Sequence, residues 1–511
     1  MRNGGGRYLW AAISGAALVF TFAPFNVYPL AWFALAPFLV ALKGLPKGTK
    51  AFKAGFLMGF FYFFGTTYWI YHSMHDYGGM GLVSSLFFVV LLASYLALYT
   101  GFFGYLFSLK INHTRLPALF VAPVIWVSLE YLRSYMLTGF PWATLGYSQW
   151  KFLYIIQMAD TTGVYGVSFL IVAVNGAIAD LFIMKKKMRE MPLFPVSYTM
   201  AGYFLLAAFV MLALGYGEFR LTHKGAGLPL RVSVVQGNID EAEKWNVNRQ
   251  DHVLDVYEKL TEGALFESPN LIVWPEASLP FPFDENDPGV QQLEKMQNTI
   301  SVPMLIGAVR QKKDGKYANS AILLDQGKPK FVYDKIHLVP FGEYVPLKRV
   351  LFFVNKLSDA VGDLEAGHEY TRGSIRQGDF GVAICYEIAF PGLVRKFFKD
   401  GGNFLVTITN DAWFGKSTGP YQNFSMAAFR AVENRKPVIR AANTGISGFF
   451  SSTGKLIKKT HMLERRTLTA DLKINNRITF YSRFGDLFSY FCILSAISLF
   501  IFAGEKEKNY F

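Results

Sequence analysis

The chain has 511 residues, of which 52% are hydrophobic and only 17% are charged, and its mean hydropathy is +0.25. A soluble globular domain carries about 25% charged residues, so this composition favours a membrane protein over a soluble one. The net charge of +14 is compatible with binding to nucleic acid. However, the sequence has no basic helix, zinc-ligand spacing or aromatic RNA-binding motif, which argues against nucleic acid as a partner.

The apolar residues are concentrated at the two ends of the chain. Residues 8–218 are apolar stretches separated by short loops, residues 229–472 have the composition of a soluble domain, and a last apolar stretch follows at 486–503. A membrane-spanning helix needs about 20 mostly apolar residues, so we predict a multi-pass bundle of about eight transmembrane helices. Their predicted ranges are 8–24, 27–42, 54–73, 82–108, 116–137, 163–184, 197–217 and 486–503. The predicted domains are an N-terminal transmembrane bundle at 1–219, an extracytoplasmic domain at 220–475, and a C-terminal helix with its tail at 476–511.

The basic residues predict the orientation of this bundle in the membrane. Alternate loops are rich in lysine and arginine, and the loops between them are nearly free of both. By the positive-inside rule, both termini are predicted to be cytoplasmic, and residues 220–485 are predicted to lie outside. The basic positions are Arg2, Arg7, Lys43, Lys47, Lys50, Lys53, Lys110, Arg115, Lys185, Lys186, Lys187, Arg189, Lys506 and Lys508.

Other polar residues of the apolar regions carry less information. Cys492 lies in the last apolar segment, far from Cys385 in the soluble domain, so no disulfide is predicted. Glu130 and Arg133 are ionisable residues inside a predicted span, which is typical of a functional site but equally of a structural i,i+3 pair. The 8 histidines have no metal-ligand spacing, and no metal or cofactor is predicted.

The soluble domain alternates short β-rich runs with helical ones, which predicts a layered α/β or α+β domain with strand ends at one edge. The predicted strands are Leu230–Gln236, Leu271–Trp274, Met304–Val309, Ala321–Leu324, Lys330–Tyr333, Gly381–Ile384, Phe404–Thr409 and Val438–Ala441. The predicted helices are 247–264, 287–299, 391–399 and 421–435.

Three of these strand ends carry reactive groups: Glu276, Lys335 and Cys385. A thiol near a helix N-terminus and beside a cation is expected to favour the thiolate, which is a nucleophile. A carboxylate within reach can take its proton, and an ammonium can stabilise a developing oxyanion. Each residue alone is compatible with a packing or surface role, but the ordered set predicts covalent acyl transfer.

The motifs around these residues resemble a known superfamily. The segments Trp274-Pro275-Glu276, the Lys335 run and Cys385-Tyr386-Glu387 are similar to those of carbon–nitrogen hydrolases, or nitrilases. Further motifs, set between apolar regions, resemble the bacterial apolipoprotein N-acyltransferase family over essentially the whole chain. They are Val235-Gln236-Gly237-Asn238, Pro340-Phe341-Gly342-Glu343-Tyr344-Val345-Pro346 and Asn410-Asp411-Ala412-Trp413-Phe414-Gly415.

The resemblance implies a nitrilase-like αββα sandwich on a helix bundle in the bacterial inner membrane, with the sandwich on the periplasmic side. It also implies acyl transfer, through a cysteine thioester, from a phospholipid donor to the N-terminal amine of the diacylglyceryl-cysteine of an apolipoprotein. Glu276 would be the general base, Lys335 the oxyanion stabiliser and Cys385 the nucleophile. The implied supporting residues are Glu343, Tyr386, Glu387 and Trp245.

Other functions are weighed against this one. A membrane-anchored amidase acting on a soluble amide would use the same three residues, but it would need one anchor and no polytopic bundle. A transporter would be expected to show an inverted repeat and more intramembrane charges. A binding protein that kept the fold would not need the intact Glu, Lys and Cys set.

Residues 347–370, between Glu343 and Cys385, allow two interpretations. The apolar run that opens this segment, followed by acidic residues, favours either an amphipathic helix packed on the domain or a lid that dips into lipid.

Overall fold

The computed structural model describes residues 4–45, 48–113, 116–187, 195–223, 227–312, 314–344 and 364–502. The chain divides into two compact units. The first comprises Met1–Tyr71, Leu82–His223 and Phe484–Phe511, and the second comprises His72–Gly81 and Lys224–Arg483. Most of the segment predicted to be a lid or a helix lies outside the described residues, which resume at 364.

The first unit is helical. Among the described residues, 3 helices are long and apolar enough to cross a membrane: Leu82–Asn112, Ala159–Ile183 and Met200–Thr222. Two shorter apolar helices cover Tyr28–Lys43 and Leu487–Ile501, so the predicted count of about eight spans stays a prediction. The helix bounds of this unit are Gly4–Val19, Ala31–Ala34, Ala36–Lys43, Gly48–Thr67, Leu82–His113, Ala118–Arg133, Leu153–Ile156, Ala159–Lys187, Pro195–Thr222 and Leu487–Phe502, with 3-10 turns at Tyr28–Leu30, Met136–Thr138 and Leu145–Gln149. Two short helices, Ile70–His72 and Phe480–Phe484, include residues assigned to each of the two units.

Glu130 and Arg133 stabilise an irregular stretch that follows their helix. Glu130 Oε1 accepts a hydrogen bond from the Leu145 backbone N–H at 2.7 Å. Arg133 Nη1 donates to the carbonyl oxygens of Phe140 at 2.9 Å and Trp142 at 2.6 Å. Buried backbone outside a helix needs such partners, above all in an apolar unit. The contacts indicate a structural role for both residues, but they are contacts to backbone groups and do not show the predicted i,i+3 pair.

The second unit contains two six-stranded sheets. The strands are β1 Leu228–Gln236, β2 Leu271–Val273, β3 Met304–Gln311, β4 Tyr317–Asp325, β5 Lys328–Asp334, β6 Gly373–Ile375, β7 Gly378–Ile384, β8 Phe404–Thr409, β9 Val438–Ala442, β10 Gly448–Phe450, β11 Leu456–Lys459 and β12 Arg466–Ile474. The order is β12-β1-β2-β3-β4-β5 in the first sheet and β11-β10-β9-β8-β7-β6 in the second. The strands β1, β2 and β3 run parallel in one sheet, and β7, β8 and β9 do so in the other. Each sheet therefore gathers several strand ends at one edge.

Helices cover the outer faces of both sheets. Gln250–Leu265 and Pro288–Ile300 pack on the first sheet, Gly419–Asn434 packs on the second, and the sheets contact each other through β1 and β9. Asp287 caps the second of these helices, since its side chain accepts from the Gly289 N–H at 2.8 Å and a proline follows it. The layers run helix, sheet, sheet, helix, as the αββα prediction requires.

Seven of the eight predicted strands of this unit lie within observed strands, the predicted strand Leu271–Trp274 extends one residue beyond β2, and four further strands were not predicted. The additional strands are β6, β10, β11 and β12. Two of them have 3 residues each, too few to show an alternating pattern. The predicted helix 391–399 was wrong in its extent, because only Pro391–Val394 is α-helical and a 3-10 turn, Arg395–Phe397, follows. The remaining 3-10 and π turns of the unit are Ser73–Tyr77, Val247–Arg249, Cys385–Ala389 and Asp411–Phe414, and a short helix covers Glu241–Lys244.

Candidate active site

The three predicted reactive residues follow strands from both sheets. Glu276 comes shortly after β2, Lys335 comes directly after β5, and Cys385 comes directly after β7. All three are buried, with exposed fractions of 6%, 1% and 8% respectively. Ionisable residues are seldom buried unless they are paired, so each needs partners on the inside of the unit.

Lys335 lies between two carboxylates. Its Nζ donates to Glu343 Oε1 at 3.0 Å and to Glu276 Oε1 at 3.3 Å. Burial alone would lower the pKa of the Lys335 ammonium, but Glu343 and Glu276 outweigh burial, so the pKa is raised above its ordinary value. Lys335 therefore remains a cation at neutral pH.

The two carboxylates are held by further hydrogen bonds. Glu276 Oε2 accepts from the Asn410 backbone N–H at 2.7 Å, and Glu343 Oε2 accepts from the Val339 backbone N–H at 2.8 Å. The side chain of Asn319, in β4, donates to Glu276 Oε1 at 2.7 Å and to Glu343 Oε1 at 2.9 Å. Sequence reasoning missed Asn319, whose one signal is an amide among the mostly apolar residues of a buried strand.

Cys385 sits in a strained turn. Its φ is +53°, a left-handed conformation that residues other than glycine rarely adopt and that is frequent at functional sites. Cys385 begins a five-residue 3-10 turn that ends at Ala389. The turn directs the residue out of the line of β7 at the point where that strand ends.

The predicted preference of Cys385 for the thiolate was wrong. Burial raises the pKa of its thiol, and the Glu276 carboxylate raises it further, while Lys335 lowers it only in part. The short 3-10 turn lacks the dipole of a long helix, which would have favoured the thiolate. The thiol is therefore protonated at neutral pH, and attack by the sulfur requires a base.

Glu387 connects the Lys335 loop to the Cys385 turn. Its Oε1 accepts from the backbone N–H groups of Ile336 at 2.8 Å and His337 at 3.0 Å, and its Oε2 accepts from the Ile384 N–H at 2.7 Å. Burial raises the pKa of Glu387 to about 7. The neighbouring residue Tyr386 lies beside an aromatic wall, with ring centroids 5.0 Å from Phe390 and 5.7 Å from His337.

Trp245 reaches the reactive residues through two intermediates. Its Nε1 donates to Glu241 Oε1 at 2.9 Å, and Glu241 Oε2 accepts from Asn410 Nδ2 at 2.6 Å. The backbone of Asn410 in turn binds Glu276. Trp245 is thus linked to Glu276 through Glu241 and Asn410, with no direct hydrogen bond to Glu276 among the described contacts.

A segment from the apolar half of the chain also belongs to this unit. Residues His72–Gly81 cluster with it. Ser73 Oγ donates to the Trp413 carbonyl oxygen at 2.7 Å, and the Tyr77 and Trp413 rings lie 5.5 Å apart. The contacts fix the turn after Asn410, whose N–H binds Glu276. Sequence reasoning missed this packing, because the partners are 340 residues apart.

Known proteins resemble this chain over nearly its whole length. The curated apolipoprotein N-acyltransferase of Geobacter metallireducens is 39% identical over 494 residues, which cover 96% of this chain and 94% of the relative. The chain belongs to the apolipoprotein N-acyltransferase family. The family member from Haemophilus influenzae is 36% identical over 493 residues, which cover 94% of this chain and 91% of that protein.

Family models divide the acyltransferase chain into two matched regions. Residues 14–177 match the apolipoprotein N-acyltransferase N-terminal domain, and residues 231–479 match the carbon–nitrogen hydrolase family. Among solved structures, Saccharomyces cerevisiae Nit3, a member of branch 10 of the nitrilase superfamily, is 22% identical. That match covers 48% of this chain and 91% of Nit3, with a TM-score of 0.38. The hydrolase match coincides with the two-sheet unit.

The arrangement in this family member can perform nucleophilic chemistry. It offers a buried thiol, a buried ammonium, the buried Glu276 carboxylate and the partly exposed Glu343 carboxylate. In the described parts of the chain, no group of three or more His, Cys, Asp or Glu side chains could hold a metal ion. The available chemistry is proton transfer, thiol attack on a carbonyl carbon, and stabilisation of the resulting oxyanion.

Proposed function

We propose that this protein transfers a fatty acyl chain from a phospholipid to the N-terminal amine of the S-diacylglyceryl-cysteine of apolipoproteins. The observation that carries the proposal is the buried Lys335 ammonium, which binds Glu276 and Glu343, together with the buried Cys385 thiol. The names of relatives that cover 94–96% of the chain supply the substrate class.

In the first half-reaction, the sulfur of Cys385 attacks the ester carbonyl carbon of the phospholipid while Glu276 takes the thiol proton. The carbonyl oxygen becomes an oxyanion beside the Lys335 ammonium. The carbon–oxygen ester bond then breaks, and Glu276 returns the proton to the leaving alkoxide. The products are a lysophospholipid and a Cys385 thioester.

In the second half-reaction, the neutral α-amine of the diacylglyceryl-cysteine attacks the thioester carbon. Glu276 accepts a proton from the attacking nitrogen, and Lys335 again stabilises the oxyanion. The carbon–sulfur bond breaks, the thiolate takes up the proton, and an amide remains on the lipoprotein. Two half-reactions let the donor and the acceptor use one site in turn.

The remaining site residues have supporting roles in this proposal. Glu343 keeps Lys335 charged and in place, because Glu343 Oε1 accepts a hydrogen bond from Lys335 Nζ. Glu387 maintains the spacing between the Lys335 loop and the Cys385 turn. Tyr386 borders the nucleophile, and Trp245 supports Glu276 through Glu241 and Asn410.

The fate of the acyl chain distinguishes this function from that of an amidase. We expect the purified protein in phospholipid-containing detergent micelles to convert a synthetic diacylglyceryl-cysteine peptide to its N-acyl form, with little free fatty acid released. The physical reason is the burial of all three reactive residues, which limits the access of water to the thioester. Liquid chromatography with mass spectrometry quantifies both products. Free fatty acid or a hydrolysed soluble amide as the main product would instead support the amidase.

We further propose a bacterial inner-membrane location with about eight spans. The proposed domains are the transmembrane bundle at 1–219, the periplasmic catalytic domain at 220–475, and the last helix with its tail at 476–511. The alternation of basic and bare loops supports cytoplasmic termini. A site outside the cytoplasm has access to lipoproteins after their export, and a membrane location brings it to phospholipid.

Reporter fusions test this orientation. We expect alkaline phosphatase to be inactive and green fluorescent protein to be fluorescent when fused after residues 45, 113, 187 and 508, because those loops and the tail carry the basic residues. A fusion after residue 225 should give the opposite result. A cytoplasmic signal at 225 would contradict the orientation.

A further inference from the structure

Asn319 lies at the centre of the charged cluster. Its Nδ2 donates one hydrogen bond to Glu276 Oε1 at 2.7 Å and one to Glu343 Oε1 at 2.9 Å. Its backbone carbonyl oxygen accepts from the Lys335 N–H at 2.8 Å. The residue belongs to β4 and is only 5% exposed. One asparagine therefore contacts both carboxylates and the backbone of the lysine between them.

The orientation of the Asn319 amide follows from its neighbours. A primary amide has two N–H donors, and the two carboxylate oxygens use both of them. The reversed orientation would place Oδ1 against two carboxylate oxygens, which repel it. In the observed orientation, Oδ1 is buried without a hydrogen-bond partner among the described residues. A buried acceptor without a partner costs stability. The observed orientation accepts this cost for Oδ1, because it lets both N–H donors bind the carboxylates.

The electrostatic problem at this point is the proximity of two negative groups. Glu276 and Glu343 bind the same ammonium and the same amide nitrogen. Two such carboxylates disfavour simultaneous ionisation, and Lys335 supplies a single positive charge against them. Two N–H donors that bind the ionised forms reduce the repulsion without adding a proton that a carboxylate could take.

We propose that Asn319 is a positioning residue that keeps Glu276 ionised and directed as a base while Glu343 remains ionised beside it. The proposal rests on the assignment of Glu276 as the base in the proposed function. Asn319 itself touches no reacting atom in this scheme. Its effect is exerted through the fraction of Glu276 that is ready to accept the thiol proton at a given pH.

Other titratable groups around the pair respond at different pH values. Burial lowers the pKa of His337 to about 4 and raises that of Glu387 to about 7, and the pKa values of Lys335 and Cys385 lie above their ordinary ranges. Asp411 also faces Cys385. No hydrogen bond joins Asn319 to His337, Glu387 or Asp411 among the described contacts. The titration of His337 and of Glu387 should therefore be the same in the wild type and in the Asn319 variants.

The test is the pH dependence of acyl-enzyme formation in Asn319→Leu and Asn319→Asp. Leucine removes both donors at similar volume, so the midpoint of the acidic limb should move to higher pH by roughly one unit, since less Glu276 is ionised at each pH. Aspartate adds a third negative group and should move the limb further. Because aspartate fills nearly the same volume as asparagine, the test stands even when the leucine variant is too unstable to purify.

Asn434→Leu is the matched control. Asn434 is a fully buried asparagine of the same unit, whose side chain binds the Arg430 carbonyl oxygen and Ser482 Oγ. This variant should lose thermal stability while its acidic limb stays at the wild-type pH. Folded Asn319 variants with a wild-type limb would overturn the proposal.

Failure of the proposed function gives a different result. A wild type that forms no acyl-enzyme from phospholipid contradicts the acyl-transfer function and leaves the base assignment open. The same acidic limb is then measured from hydrolysis of p-nitrophenyl acetate, which requires the same thiol and base. A shift in Asn319→Leu on that substrate supports the positioning role, and an unshifted limb contradicts it.

Discussion

We expect Cys385→Ala to abolish both acyl-enzyme formation and transfer to the acceptor amine, while the protein remains folded. The sulfur is the atom that holds the acyl chain in the proposed mechanism, and no other thiol is present in the catalytic unit. The substitution removes one buried heavy atom, so the loss of stability should be small, about 1 kcal/mol. Alanine faces the same strain at the positive φ of this turn. Activity is measured by conversion of a diacylglyceryl peptide, and folding by the melting temperature.

Cys492→Ala is the matched control for this variant. Cys492 is the other free cysteine and is fully buried in the last apolar helix. Its replacement removes the same atom and should leave acyl transfer at the wild-type rate. Acyl transfer by the Cys385→Ala protein would show that the mechanism is wrong. Complete loss of acyl transfer in the Cys492→Ala protein would show that the assay responds to protein stability rather than to the loss of the nucleophile.

Glu276→Gln should slow thioester formation by ~10²–10⁴-fold, the range typical of a lost general base. Glutamine keeps the shape of the side chain but cannot take the thiol proton. Burial raises the pKa of the Cys385 thiol, so little thiolate forms without a base. The remaining activity should rise with pH by about tenfold per unit until the thiol ionises. The Glu276 carboxylate raises the pKa of the Cys385 thiol, so its removal should lower that pKa. The rise of activity with pH should therefore level off at a lower pH than the pKa of the wild-type thiol.

Rapid-quench measurements of acyl-enzyme formation between pH 6 and pH 9 test this prediction. Glu262→Gln, at an exposed position of a surface helix, is the control for the change in net charge and should behave as the wild type. Wild-type rates in Glu276→Gln would place the base elsewhere. Glu343, 3.0 Å from the same ammonium, would then be the next candidate.

The positions of the reactive residues could be predicted because the carboxyl ends of strands that run in the same direction meet at one edge of a sheet. Glu276, Lys335 and Cys385 each follow a short apolar run, and such runs are visible in the sequence as buried strands. The structure places Glu276 and Lys335 in direct contact. The prediction that these strand ends meet depended only on periodicity and on the side chains that follow each strand.

Other parts of the site depend on contacts that no local pattern reveals. Asn319 lies on a strand whose neighbours are mostly apolar, and its two carboxylate partners lie 43 and 24 residues away in sequence. The Ser73 contact to Trp413 joins segments 340 residues apart. The prediction of a thiolate at Cys385 failed for a related reason. Burial raises the pKa of this thiol, and burial depends on the folded surroundings of the residue.

The Cys385 thioester is tested most directly by peptide mass spectrometry of the wild-type protein after incubation with a phospholipid of defined acyl chains. We expect one acyl adduct, on Cys385, that neutral hydroxylamine removes, as expected for a thioester. Addition of a diacylglyceryl-cysteine peptide should remove the adduct and yield an equal amount of N-acyl peptide. An unmodified Cys385 under conditions in which the peptide is acylated, or an adduct that the acceptor cannot discharge, would contradict the thioester mechanism.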